Sequence, residues 1–199
     1  MRYVITGANR GIGLEFTKQF TARGEYVEAG TRSPQQCDEL NAICAREPAR
    51  LRIHNCDVTS DTSVRAFASA VGDTPIDVII NNAGVMGKMQ SLEDLDLDDL
   101  IQTMQINAIG PIRITRALLP NLKRGVGRKI VHISSGMGSI SDNTSGGAYG
   151  YRMSKAALNM ASRSMSLDLK NHKFISVVFN TGWLQTDMGG PGATTPVSE

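Results

Sequence analysis

Arg2-Tyr3-Val4-Ile5-Thr6-Gly7-Ala8-Asn9-Arg10-Gly11-Ile12-Gly13 is a short apolar run that opens into a glycine-punctuated loop and passes straight into helical periodicity over residues 13–23. Such a passage reads as a buried strand, a tight turn and a helix. Backbone N–H groups at the start of that helix would face an anion, and the glycines would let a pyrophosphate come close. The spacing is Gly-x-x-x-Gly-x-Gly rather than Gly-x-Gly-x-x-Gly. Glycines also close turns for purely structural reasons, so the loop by itself leaves both readings open.

Its setting favours the phosphate site. Similar apolar runs recur along the chain: Tyr26-Val27, Leu51-Arg52-Ile53, Val78-Ile79-Ile80, Ile130-Val131-His132-Ile133 and Ile175-Ser176-Val177-Val178-Phe179. Helical patterns over 35–46, 60–71, 98–122 and 154–170 separate them. Strand–helix alternation of this kind predicts an α/β fold, a single Rossmann-like, doubly wound parallel sheet with helices on both faces. At 199 residues the chain suits one domain spanning 1–199 with a core that needs no disulfide or metal. The Gly/Pro/Thr-rich end predicts loop or partly disordered structure over 185–199.

Composition narrows the function. A net charge of +2 is too small to argue for nucleic acid or a membrane surface, and no basic run is interleaved with aromatics. Cys37, Cys44 and Cys56 form no Cys-x-x-Cys pair and are odd in number. Reduced thiols in a cytoplasmic protein fit that better than a disulfide framework or a reactive cysteine. No leader, membrane span or metal site is expected.

The most informative stretch is Tyr151-Arg152-Met153-Ser154-Lys155. Four residues apart on a helix, Tyr151 and Lys155 share a face. A phenol titrates near pH 10, and a neighbouring ammonium would bring it towards the range of acid–base catalysis. The bare pattern also occurs as surface decoration. Ser135 stands where the fifth strand runs out, a position for hydrogen-bonding a substrate carbonyl, with Ser134 as the neighbour that could take its place. His132, inside the apolar run, reads as a core histidine. Asn107, mid-helix, needs either a packing neighbour or a water to hold. At the end of the second strand Thr31 offers no carboxylate for a ribose 2′-hydroxyl, while Arg32 and Arg10 suit a 2′-phosphate. NADP is therefore expected over NAD.

Together, Thr6-Gly7-x-x-x-Gly11-x-Gly13, Asp57-Val58, Asn81-Asn82-Ala83-Gly84, Asn107, Ser135, Tyr151-x-x-x-Lys155 and Gly182-x-x-x-Thr186 resemble the short-chain dehydrogenase/reductase family. Within it, the wording around Ser135, Tyr151 and Gly182 is most similar to the C-factor and Sniffer-type carbonyl reductases. The resemblance implies an oxidoreductase reducing a small-molecule carbonyl, or oxidising the alcohol, with Tyr151 as general acid. Lys155 would hold the nicotinamide ribose and depress the tyrosine pKa, Ser135 would orient the carbonyl, and Asn107 would keep a helix kink and a water. Gly7, Asn9, Arg10, Gly11, Ile12, Gly13, Arg32, Asp57, Val58, Asn82, Ala83, Gly84, Gly182 and Thr186 would line the cofactor, Asp57 at the adenine and Thr186 at the carboxamide. A homodimer through the helices around 98–122 and 154–170 is a further implication. Two departures stand out. The family's Pro-Gly after the sixth strand is Thr181-Gly182 here, and its last helix and strand are not represented. These give weight to a second reading, a dinucleotide-binding signalling or regulatory protein with little turnover.

Overall fold

In the computed structural model, which describes residues 1–198, six parallel strands form one sheet in the order β3-β2-β1-β4-β5-β6. They are β1 (Arg2–Thr6), β2 (Tyr26–Thr31), β3 (Leu51–Asn55), β4 (Val78–Asn81), β5 (Lys129–Ser134) and β6 (Ile175–Asn180). The helices between them are α1 (Gly11–Ala22), α2 (Asp38–Arg46), α3 (Asp61–Val71), α4 (Leu97–Met104), α5 (Gly110–Arg124) and α6 (Tyr149–Asp168). The strand order reverses between β1 and β4, which lie side by side with Tyr3 opposite Val78 and Ile5 opposite Ile80. A crevice opens at the carboxyl ends of the strands at such a switch point.

Two apolar layers explain why the strands read as unbroken hydrophobic runs. Val4 and Ile79 pack with Phe67, Ile114 and Leu118 of α3 and α5. Their neighbours Ile5 and Ile80 point the other way, to Leu14, Leu40 and Ile43 of α1 and α2. Burial on both faces removes the polar alternation of a half-exposed strand. At β6 the α1–α2 layer no longer covers the sheet, and Ile175 and Phe179 are 52% and 53% exposed.

The helix expected over 98–122 is interrupted. After α4, residues Gln105–Ile109 form a π turn before α5 begins. Pro111 has no N–H to return to the carbonyl four residues back, that of Asn107, so the α-helical ladder cannot close there. The helix expected over 154–170 starts earlier, at Tyr149, after Ala148 takes a left-handed φ of 48°. That start brings Tyr151 into the first turn of α6. Residues 185–198 run mainly as turns, with Leu184 bridged to Thr195.

His132 lies fully buried in β5, with Nδ1 3.3 Å from Asn81 Nδ2 and Nε2 3.4 Å from the Ser176 hydroxyl. Burial pulls its pKa down from 6.5 to about 4. Between those values the unfolded chain holds a proton that the native ring does not, so stability falls as pH drops through that window. Above it the ring is neutral in both states and contributes no slope. His132 alone should cost about 3 kcal/mol by the acid end. Urea unfolding at a series of pH values should show this slope, and His132→Gln should flatten it. Parallel pH profiles for the two proteins would rule this out.

Candidate active site

A cleft of about 860 Å³ runs along the carboxyl ends of the strands, from Thr31, Arg32 and Asp57 at one end to Ser135, Tyr151 and Lys155 at the other. The glycine loop forms its floor. Gly7 and Gly11 take φ values of +65° and +53°, which side chains with a Cβ rarely adopt. A Cβ on Gly13 would lie 2.4 Å from the Gly7 carbonyl oxygen. The loop therefore closes tightly on the start of α1, where Arg10 supplies no capping side chain and the first turn holds no acidic residue. The N-terminus of α1 is left to serve an anion from the cleft.

The end of β4 stitches this loop in place. Asn82 Nδ2 donates to the carbonyls of Thr6 (2.9 Å) and Gly7 (3.1 Å), and Thr6 Oγ1 accepts from the N–H groups of Asn82 and Ala83. Asn82, Ala83 and Gly84 line the cleft. The Asn82 amide nitrogen is thus engaged by loop backbone, and through it the side chain shapes the floor. Asp57 stands at the far end with Val58. Burial pushes its carboxyl pKa up, but the Thr59 N–H and hydroxyl and nearby Arg32 hold it below the ordinary value. On β2 the nearest carboxylate, Glu28, is fully buried against Arg2 (2.6 Å) and His54 (2.7 Å) and is not part of the cleft wall. No carboxylate from β2 therefore reaches the cleft wall to grip a ribose 2′-hydroxyl.

At the other end, Tyr151 and Lys155 are buried on one face of α6, 7% and 6% exposed. Lys155 Nζ donates to the Ile133 carbonyl at 2.8 Å and lies 5.4 Å from the centre of the Tyr151 ring. Burial lowers the lysine to about 8. It raises the tyrosine, and only the neighbouring Ser135 hydroxyl opposes that rise. The expected depression of the phenol by Lys155 is therefore not present in this arrangement. The ammonium spends its hydrogen bond on the Ile133 carbonyl, and burial already disfavours its charge.

The two serines separate cleanly. Ser134 donates to Asn159 Oδ1 at 2.6 Å, whereas Ser135 faces Tyr151 and accepts from the Met137 N–H. Asn107 is fully engaged through its side chain: Oδ1 accepts from Val85 N–H (2.9 Å), and Nδ2 donates to the Val85 carbonyl (2.8 Å) and Ser154 Oγ (3.0 Å). Its side chain is thus a packing bracket between the β4 loop and α6. Gly84 lies between them, where a Cβ would come 3.3 Å from Asn107 Oδ1 and 3.8 Å from Lys155 Nζ.

Over the cleft, the segment after β6 turns at Gly182, φ +75°, and brings the Thr186 methyl 3.4 Å from where a Gly11 Cβ would be. Arg10 and Arg32 both line the cleft, but Arg10 is already paired with Asp187 at 2.9 Å. Asn9, Ile12, Gly182 and Thr186 also border the space. Sequence reasoning missed Met86, Met137, Trp183 and Met188, which give the walls their apolar character. Their one signal was position just past the ends of β4, β5 and β6. Cys56 also reaches the cleft, yet burial, helped by Asp57, pushes its thiol up to about 12, which leaves it unreactive. Among the described residues no helix is long and apolar enough to cross a membrane.

Comparison with known proteins agrees with this geometry. Residues 2–195 match the family described as short chain dehydrogenase. The C-signal of Myxococcus xanthus is 55% identical over 136 residues, 68% of this chain and 82% of that protein. The solved structure of NADPH bound carbonyl reductase from chicken fatty liver superposes with a TM-score of 0.92 at 34% identity, covering 99% of this chain and 86% of that one. The carbonyl reductase Sniffer of D. melanogaster gives a TM-score of 0.93 at 32% identity, with the same coverage.

Proposed function

The chain belongs to the short chain dehydrogenase family, and we propose that within it the protein is an NADPH-dependent carbonyl reductase. The observation that carries this reading is the buried pair Tyr151 and Lys155 with Ser135 beside them in the lining, at the end of a cleft whose floor is a glycine loop. The cradle fits a dinucleotide: Gly7 and Gly11 occupy left-handed conformations, Gly7 and Gly13 pack without room for a Cβ, and the start of α1 is uncapped. Gly11, Ile12 and Gly13 would hold the pyrophosphate, Arg10 and Arg32 the 2′-phosphate, and Asp57 and Val58 the adenine. Thr186 would meet the carboxamide. A nicotinamide bound there supplies the hydride.

The chain's own residues do the rest. Ser135 donates its hydroxyl to the substrate carbonyl and fixes it beside Tyr151. Tyr151, held protonated by burial, gives its phenolic proton to the carbonyl oxygen as negative charge develops there. Lys155, whose pKa near 8 leaves it mostly charged at neutral pH, would hold the nicotinamide ribose, and the phenolate that remains regains its proton from solvent. Asn107 keeps Val85 and Ser154 fixed, so the β4 loop and α6 hold the acid and the carbonyl in register. Met86, Met137, Trp183 and Met188 in the lining favour an apolar substrate.

Exposed Leu97 and Ile101 on α4, and Met153 and Met160 on α6, supply a face for the homodimer inferred from these helices. The free thiols fit a cytoplasmic setting.

The similarity to the C-signal and the Thr181-Gly182 turn support a second reading, a dinucleotide-binding regulatory protein with little turnover. A pure binder has no chemical need for the Tyr151/Lys155 pair. Following NADPH consumption with a panel of aromatic and aliphatic aldehydes and ketones, and NADP⁺ reduction with the matching alcohols, separates the two. Catalysed oxidation of NADPH with alcohol formed in equal amount is the expected result. Tight NADPH binding with no turnover in either direction would favour the regulatory reading.

A further inference from the structure

The segment after β6 is a small self-bonded loop lying over the cleft. Trp183 Nε1 donates to the Gly189 carbonyl at 2.8 Å, the Gly189 N–H to Thr186 Oγ1 at 3.1 Å, and the Gly190 N–H to the Thr186 carbonyl at 3.0 Å. Thr186 rests on the glycine loop, and one ion pair ties the two together, Arg10 Nη1 to Asp187 Oδ2 at 2.9 Å. Arg10 is the residue just before α1, beside the uncapped helix start. Its side chain is 63% exposed and that of Asp187 is 74% exposed, so either can rotate away at little cost.

Besides Lys155, four charged residues border the cleft: Arg10, Arg32, Asp57 and Asp187. Asp57 Oδ1 accepts both the N–H and the hydroxyl of Thr59. Asp187 has no such local tether, and it holds Arg10 through a single guanidinium nitrogen instead of a two-pronged grip. A phosphate monoester carries nearly twice its charge and three acceptor oxygens, and a guanidinium binds it through two parallel bonds. The carboxylate is thus the weaker of two anions that suit one cation.

We propose that Asp187 sets cofactor selectivity by competing with the 2′-phosphate of the dinucleotide for Arg10. In the free protein it occupies the guanidinium. An incoming 2′-phosphate displaces it and leaves a like charge close by, so binding of the phosphorylated cofactor is weaker than Arg10 alone would allow. The unphosphorylated cofactor makes no demand on Arg10 and does not feel this competition. The inference rests on the functional reading above, because it requires the phosphorylated dinucleotide to bind in this cleft.

The test is titration of wild type, Asp187→Asn, Arg10→Gln and the double variant with NADPH and with NADH, followed by nucleotide fluorescence. Asp187→Asn keeps the size of the side chain and removes its charge. It should tighten NADPH about threefold, in keeping with an exposed ion pair, and leave NADH unchanged. In the Arg10→Gln background the same change should leave both affinities unaltered. Equal changes for NADPH and NADH, no change for either, or the same gain without Arg10 would overturn the competition while leaving the functional reading intact. Failure of the wild type to bind NADPH would overturn the functional reading, and this inference with it.

Discussion

Tyr151→Phe is expected to lower kcat for carbonyl reduction by about 10²–10⁴-fold while leaving the NADPH dissociation constant within about twofold of wild type. The change removes one oxygen and keeps the ring, so the packing of a residue only 7% exposed is preserved. What is lost is the proton proposed for the carbonyl oxygen. The separation of turnover from binding is the informative part. Tyr151 stands at the end of the cleft away from Arg10, Arg32 and Asp57, which would hold the adenosine half. Steady-state kinetics beside nucleotide titration make the comparison. Undiminished turnover would remove Tyr151 from the chemistry, and equal loss of binding would make it a structural residue of the cleft.

The second large effect is expected at Gly13→Ala. A Cβ there would come 2.4 Å from the Gly7 carbonyl oxygen and 2.5 Å from Asn82 Nδ2, the two ends of the hydrogen bond that holds the loop. One of these neighbours is backbone, so the strain cannot be relieved by turning a side chain. The loop must lift away from α1, at about 1–3 kcal/mol of stability, as for other overpacked sites. Moving the loop also moves the N–H groups proposed for the pyrophosphate, so dinucleotide affinity should fall by at least an order of magnitude, about 1.4 kcal/mol. Thermal unfolding and nucleotide titration on one preparation check both effects. An alanine variant with wild-type stability and affinity would show that the loop has slack this structure does not contain.

The parallel sheet was legible because burial on both faces turns each strand into an apolar run, and Val4-Ile5 and Ile79-Ile80 each serve both layers. Tyr151 and Lys155 were legible because helical spacing alone puts them on one face. Where the reading fell short, the missing information was three-dimensional. The π turn at Gln105–Ile109 follows from Pro111, yet the apolar periodicity of the neighbouring helices runs across it. The partners of Asn82 are carbonyls of residues 6 and 7 on the adjacent strand and loop, which spacing along the chain does not disclose. The direction of the tyrosine shift was misjudged for a related reason: spacing places a lysine nearby, but only depth of burial decides that desolvation prevails over its charge. Arg10 and Asp187, 177 residues apart, meet only because the segment after β6 folds back over the glycine loop.

The central claim is that this cleft binds a phosphorylated nicotinamide dinucleotide for carbonyl reduction, and titration of the protein with NADPH and with NADH tests it most directly. The arginines at the end of β2 and in the glycine loop, with no carboxylate from β2 in the wall, predict saturable 1:1 binding of NADPH and at least tenfold weaker binding of NADH. A folded, monodisperse protein that binds neither nucleotide would contradict the account.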